Sequence, residues 1–354
     1  MRKIFSVIAI VYMINITTFA FALNTNLYPI NDKNGGGYID KTGKIIIEQK
    51  YNFTFRFIKN YAIVQAKNYK YGIINKKGNT VIDFKYENLN KLNEDFVIYK
   101  ENEKYGYIDI KNNIQSGAEF ENLRMFKEGL AAAKKDGKWG FINKKGEFII
   151  EPKYYNVSNF SEGLAAISYS KYQTSGYIDK KGNVKLNFKD NNIDPKEFYK
   201  GFAPILSSKN KSCSYINKKG KIILDQEKLE PKHIYCGNFQ EGLQVFYADN
   251  NPRRIQTGFV NKKGKIKYAM TFSIPENVSE GEFSAFENFS SNMAQIIINY
   301  KTGYINKKFK LVIPPVYEFA RDFIDDLAYV KFENIEGYIN KKGEWVWSKE
   351  REGM

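Results

Sequence analysis

A chain of 354 residues with 27 Phe, 26 Tyr and only 9 Pro is too rich in aromatic side chains for a disordered polymer, and that supply points to many short β-strands. Its formal charge of +16 sets up a field that draws anions without naming one. A single histidine excludes any metal cluster built on histidine pairs.

Met1-Arg2-Lys3 supplies a positive start, Ile4 to Ala22 is apolar apart from Ser6, Asn15, Thr17 and Thr18, and Ala20-Phe21-Ala22 fits a small-x-small cleavage site. Residues 1–22 therefore read as a secretory signal peptide, with an uncleaved anchor as the alternative. No cysteine follows the apolar run, which argues against lipid attachment, and no second stretch of about 18 apolar residues exists, so the mature chain is expected to be exported and soluble: periplasmic, surface-bound or secreted. Losing Arg2 and Lys3 takes the charge from +16 to +14. Export makes an envelope polyanion or a protein a better partner than nucleic acid.

Residues 23–36, ending in the glycines that begin at Gly35, read as a short leader. A repeat array then covers 37–348. Its clearest copy is Lys138-Trp139-Gly140-Phe141-Ile142-Asn143-Lys144-Lys145-Gly146, and kernels beginning at Gly37, Gly72, Gly106, Gly140, Gly176, Ser214, Gly258, Gly303 and Gly337 recur at spacings of 35, 34, 34, 36, 38, 44, 45 and 34 residues. Each unit reads as a three-strand meander. In the fourth, Leu130 to Lys134 is the first strand, Asp136-Gly137 a hairpin turn, Lys138 to Ile142 the second strand and Phe148 to Ile150 the third, which Pro152 is expected to end.

The turn Asn143-Lys144-Lys145-Gly146 has the chemistry of a type I turn closed by a glycine of positive φ. Two copies break it. Asn112 replaces the glycine in the third unit, which asparagine tolerates, whereas Phe309 in the eighth predicts a distorted or differently paired turn. Between units run connectors such as Glu151-Pro152-Lys153-Tyr154 to Phe160 and Glu162-Gly163-Leu164, whose aromatic and apolar positions are expected to fill the space between consecutive sheets. Extra length falls near 187–196, 225–237 and 267–281, and insertions of this kind map to loops on one face. Trp345 and Trp347 are expected to cap the last unit or seal the array, and 349–354 is a tail.

These residues resemble the WG-repeat family of bacterial β-repeat proteins. The pattern runs almost unbroken from Glu128-Gly129-Leu130-Ala131 to Tyr154, although the naming tryptophan stands only at Trp139 among the kernels. The resemblance implies an all-β, propeller-like tandem array of about nine antiparallel meanders, used as a binding surface and without defined catalytic residues. The number and shortness of the units keep an open β-solenoid as the alternative.

Chemistry-bearing residues are few. His233 lies in an insertion with no nucleophile motif beside it, so no catalytic triad is read there. Cys213 and Cys236 meet an oxidising compartment after export, where they are either joined in a disulfide tying the insertion to its own unit or left unpaired. No metal site and no cofactor motif is read. Glu128, Glu162 and Glu241 recur at one position before a turn glycine, which suits a connector role better than an acid/base pair. The sharper candidates are the paired lysines Lys76-Lys77, Lys144-Lys145, Lys180-Lys181, Lys218-Lys219, Lys262-Lys263, Lys307-Lys308 and Lys341-Lys342. In units of one orientation they form a basic rim able to hold a polyanion. The competing view is that lysine merely suits an exposed turn and guards strand edges. The chain is thus expected to be a non-enzymatic exported scaffold, with an extracellular carbohydrate-active enzyme as the alternative and a plain spacer as the third.

Overall fold

The computed structural model describes residues 26–93, 95–170, 175–188, 193–207, 213–225, 239–251, 254–263, 265–273 and 286–350. Among them are nine antiparallel sheets and no helix, the blades of a β-propeller: blade 1 (28–51), 2 (53–86), 3 (89–115), 4 (122–154), 5 (156–188), 6 (193–225), 7 (243–273), 8 (293–317) and 9 (319–350). Named strands pair only within their own blade, and always antiparallel, so the units are stacked sheets and not the coils of a solenoid. Two compact units divide the chain, one made of the residues up to Asn102 with Gly106–Ala118, the other of Glu103–Tyr105 with Glu119 onward. Blades 1 to 3 lie in the first unit, apart from residues 103–105, and blades 4 to 9 in the second.

Blade 4 shows why the sequence makes these strands. Ala131–Lys135 and Lys138–Ile142 pair through a two-residue turn with φ of 50° at Asp136 and 73° at Gly137, the doubly positive turn that matches strand twist. A fourth strand, Asn122–Leu123, comes from the connector and pairs with Ala133 and Lys134. Among the described residues six of the nine sheets have such a short inner strand, and blades 1, 7 and 8 show three strands. Thirty-four residues suffice for four strands because in blades 2, 4, 5 and 9 the fourth is two residues long.

The outer strand of blade 4 does not stop at Pro152. It runs over Phe148–Tyr154, with Trp139 opposite Tyr154 and Phe141 opposite Ile150, so the ladder bulges around the proline that cannot donate and then resumes. The bulge pushes backbone against the kernel glycine: a Cβ on Gly140 would lie 2.4 Å from the Ile150 carbonyl oxygen and 2.8 Å from the Pro152 nitrogen. Only a residue without a side chain fits there. Blades 1, 2 and 8 repeat the double bulge, closed by Tyr51, Tyr86 and Tyr317.

The core lies between blades. Leu130, Ala132, Trp139, Phe141 and Ile150 of blade 4 form one buried cluster with Val157, Phe160, Ala165, Ile167 and Ile178 of blade 5 and its connector. The connector phenylalanine is the plug expected from the sequence: Phe160 packs on Phe141 at 4.7 Å between ring centroids, Phe198 on Tyr177 at 4.9 Å, Phe289 on Phe259 at 4.8 Å and Phe323 on Tyr304 at 4.8 Å. The kernel tyrosines also donate to connector carbonyls, Tyr177 to Lys196 and Tyr304 to Arg321, both at 2.7 Å. Burial drives both phenol pKa values upward, helped by Asp194 near Tyr177 and by Asp322 near Tyr304, and keeps them as neutral donors.

Phe309 corrects an expectation. Its turn is regular, with the Phe309 N–H donating to Asn306 O at 2.8 Å as Gly146 does to Asn143 O at 3.0 Å, and its φ is +58°. Elsewhere this turn residue covers an apolar side chain of the preceding blade: Gly182 lies over Ile150, Gly220 over Leu186 and Gly343 over Ile313. In blade 8 the preceding blade offers Tyr268, and Phe309 stacks on it at 5.0 Å with 8° between the rings, also meeting Phe259 and Phe289. The stacking offsets the strain of a bulky residue in the left-handed region.

Other departures have equally local causes. The stretch read as a leader supplies Tyr28–Asp32, the first strand of blade 1. In blade 3 the left-handed residue is Asn113, φ 52°, one place later than expected, because the Asn112 side chain and N–H both bind the Asp109 carboxylate. The insertion near 187–196 contributes Asn187 and Phe188 to one strand and Ile193–Pro195 to the next, and residues 267–273 extend the outer strand of blade 7, so these lengths are partly sheet. The rest of 225–237 and 267–281, with His233 and Cys236, lies outside the described residues, as do the signal segment and 351–354. Lys349 and Glu350 still belong to the last strand, and Trp345 packs edge-on against Tyr317 of blade 8.

Gly140→Ala should lower unfolding stability by at least about 2 kcal/mol, read from the urea midpoint, since backbone and not a flexible tip must move; a shift near zero would contradict the bulge argument. Phe309→Ala should be worse than Phe309→Gly by about 1 kcal/mol, because both lose the stack but only glycine relieves the positive φ. The reverse order would show that the turn is not under strain.

Candidate binding edge

In a meander, alternate connections fall at the same end of the sheet. The Glu-Gly turns before the second strands and the Lys-Lys turns before the outer strands therefore share one end of each blade. Both turns are rigid. Asn143 Oδ1 accepts the N–H groups of Lys145 at 2.8 Å and Glu147 at 3.1 Å, and Asp179, Asn217, Asn261, Asn306 and Asn340 repeat the pattern. Glu128 and Glu162 sit at φ of 52° and 54°, each followed by a glycine of positive φ.

The two lysines of a pair do different things. In four pairs, at Lys180, Lys218, Lys262 and Lys307, the first reaches back to the preceding blade. Lys180 lies 3.2 Å from the Glu128 carboxylate and donates to the Glu128 carbonyl at 2.9 Å, while the same carboxylate accepts the Gly163 N–H at 3.0 Å. Lys218 and the Gly201 N–H meet Glu162 at 3.1 and 3.0 Å, and Lys307 and the Asn292 N–H meet Glu241 at 2.9 and 3.2 Å. Each glutamate is a clasp between one blade and the next. Where Lys200 stands at the glutamate position, Lys262 instead donates to its carbonyl at 3.4 Å and lies 4.5 Å from the centre of the Phe202 ring. Where Ser291 stands there, its hydroxyl accepts the Asp325 N–H at 2.8 Å, and Lys341 lies 3.9 Å from Asp326.

The second lysine points to solvent. Lys77, Lys145, Lys181, Lys219, Lys263, Lys308 and Lys342 are all exposed, and their ammonium groups have no ion pair among the described residues. Of the first lysines Lys144, Lys180 and Lys218 are also exposed, and Lys76, Lys262, Lys307 and Lys341 are half-buried. Some lysines of the expected rim thus also join neighbouring blades. This division was not legible from the sequence, where the two neighbours are the same residue type.

Charge at this end follows from the clasp. Partial burial pushes the Glu128 and Glu241 carboxyls upward, but hydrogen bonds from Lys180 or Lys307 and from backbone N–H groups, with the charge of the same lysine, outweigh it and hold both below the ordinary range. A general acid needs the opposite shift. No group of three or more His, Cys, Asp or Glu residues able to hold a metal occurs among the described residues. Cys213, buried in the aromatic slot of its kernel, is disulfide-bonded.

Because the Glu128 and Glu241 carboxyls titrate lower folded than unfolded, their stabilisation is present above the ordinary value of 4.5 and is lost as pH falls through the folded one. A Glu128→Gln, Glu241→Gln variant should lose less stability than the parent between pH 5 and 3. The difference should be on the order of 1 kcal/mol after solvent screening, read by urea unfolding at each pH. Parallel curves would contradict the clasp.

The model of the WG containing repeat matches residues 37–71, 71–105, 105–139, 139–170 and 303–334. Four of these five segments begin in a kernel whose outer strand carries the double bulge closed by tyrosine. No curated protein matches the chain by sequence. Similar solved structures include the crystal structure of the eukaryotic initiation factor, with a TM-score of 0.63 and 10% identity over 93% of this chain and 96% of that one. The dihydro-heme d1 dehydrogenase NirN, at TM-score 0.49 and 10% identity over 86% and 76%, and AztD from Citrobacter koseri, at 0.40 and 12% over 93% and 95%, superpose too loosely to carry an argument. At such identities the first likeness speaks to the fold alone. Among the described residues no helix is long and apolar enough to cross a membrane. Residues 37–170 and 303–334 are therefore similar to the WG containing repeat, the pattern the kernels follow.

Proposed function

We propose that this protein is an exported, non-enzymatic binding scaffold that presents the exposed lysines of its outer turns to an anionic partner at the cell envelope. A repeat-built propeller suits a binding role in general terms. The observation that carries the finer reading is the division of labour in the lysine pairs. Glu128, Glu162 and Glu241 are ion-paired to the first lysine of three pairs, and the second lysines of those turns are exposed without an ion pair among the described residues.

Export rests on the apolar segment ending at Ala22 and is supported by the disulfide at Cys213, a bond that survives in oxidising compartments. The non-enzymatic reading is supported by the carboxylates. Glu128, Glu162 and Glu241 occupy equivalent places in successive repeats and are engaged in clasps, whereas a glycosidase needs two differently tuned acids facing one bond.

Replacing Lys145, Lys181, Lys219, Lys263, Lys308 and Lys342 by Gln should abolish retention on a heparin-like column at physiological salt, with the unfolding midpoint unchanged. Replacing Lys180, Lys218 and Lys307 should lower stability and remove less of the retention per charge. Equal retention by the first variant and the parent would refute the proposal.

A further inference from the structure

Resting on that reading, we infer that the anionic partner is the surface of a phospholipid bilayer. Of the twenty large hydrophobic residues exposed among the described residues, ten occupy the first two positions of an outer strand, next to the turn that ends the kernel. In the six consecutive blades of the second unit these include Ile149, Val184, Ile222, Ile266, Leu311 and Trp345, with exposures of 49, 49, 50, 36, 53 and 39%. Each follows an exposed second lysine by three or four residues. Every blade from 4 to 9 thus sets an ammonium group and an uncovered apolar side chain within about 14 Å of chain at the same end.

A soluble polyanion needs only the lysines, and the apolar neighbours would gain nothing from it. Polysaccharides stack on aromatic rings, yet five of these six residues are aliphatic. A second copy of the chain would bring one basic edge against another, which repels. An anionic bilayer satisfies both components, since its headgroups attract the lysines and the boundary below them takes aliphatic side chains. Three of the carboxylates at this end, Glu128, Glu162 and Glu241, are held by Lys180, Lys218 and Lys307.

The test uses the full mature chain with vesicles of phosphatidylglycerol and phosphatidylcholine, with phosphatidylcholine alone, and with the heparin-like column in parallel. The parent should sediment with the anionic vesicles only, and Trp345 emission should shift to the blue and be quenched by brominated acyl chains, a signal absent in Trp345→Phe. Changing Ile149, Val184, Ile222, Ile266 and Leu311 to Ser should weaken vesicle binding about tenfold or more while column retention stays unchanged. If the Ser variant binds vesicles like the parent, or the parent does not bind them, the bilayer inference fails and the polyanion reading stands on the column result. Retention that survives the lysine substitutions would overturn both. Self-association of the parent that the Ser variant abolishes, without vesicle binding, would assign the edge to a second copy.

Discussion

The blades of this chain are too thin to bury an apolar face alone, and the interaction that holds them is the packing of each sheet on its neighbour through an inserted connector phenylalanine. Phe160 set between blades 4 and 5 is the pattern: it belongs by sequence to the second blade and by contact to both. Fully buried rings at the equivalent places, Phe198 among them, make the interface a row of aromatic pairs with the backbone polar groups satisfied by tyrosine hydroxyls. Stability in such an array is a sum of neighbour terms, and little of it resides in a single repeat.

That constraint explains the kernel. The glycine lets the bulged outer strand approach, the bulge carries its closing tyrosine into the inter-blade core, and the turn residue that follows covers an apolar side chain of the blade before. The motif therefore codes for contact between repeats as much as for the hairpin it forms. Phe309 makes the case from the opposite direction. Local rules forbid it in that turn, but an aromatic neighbour on blade 7 gives it something to cover, and packing overrides propensity.

Much of this was legible in sequence because it repeats. Kernel strands, both turn types, the all-β class and the role of the connector follow from spacing and turn chemistry alone. What escaped has a physical reason in each case. A two-residue strand such as Asn156–Val157 has no periodicity to detect, and Tyr28–Asp32 precedes the first kernel and so has no preceding copy to be aligned with. The clasp of Lys180 on Glu128 joins residues 52 positions apart, and only the stacking of two blades brings them together. The exposed aliphatic residues at the outer-strand starts read as ordinary strand formers until their solvent exposure is known.

The edge proposed for binding and the locks between neighbours meet at one end of the blades. The same turns that lock neighbours through the first lysine display the second, so the proposed edge is a by-product of how the repeats are joined. Its regularity belongs to the array and depends on the blades acting together. Hydrogen exchange on the full chain carrying Phe198→Ala tests this most directly. Inter-blade dependence predicts faster exchange in the kernel strands of both blade 5 and blade 6, around Ser175–Ile178 and Cys213–Ile216. Faster exchange confined to blade 6, with blade 5 unchanged, would contradict it.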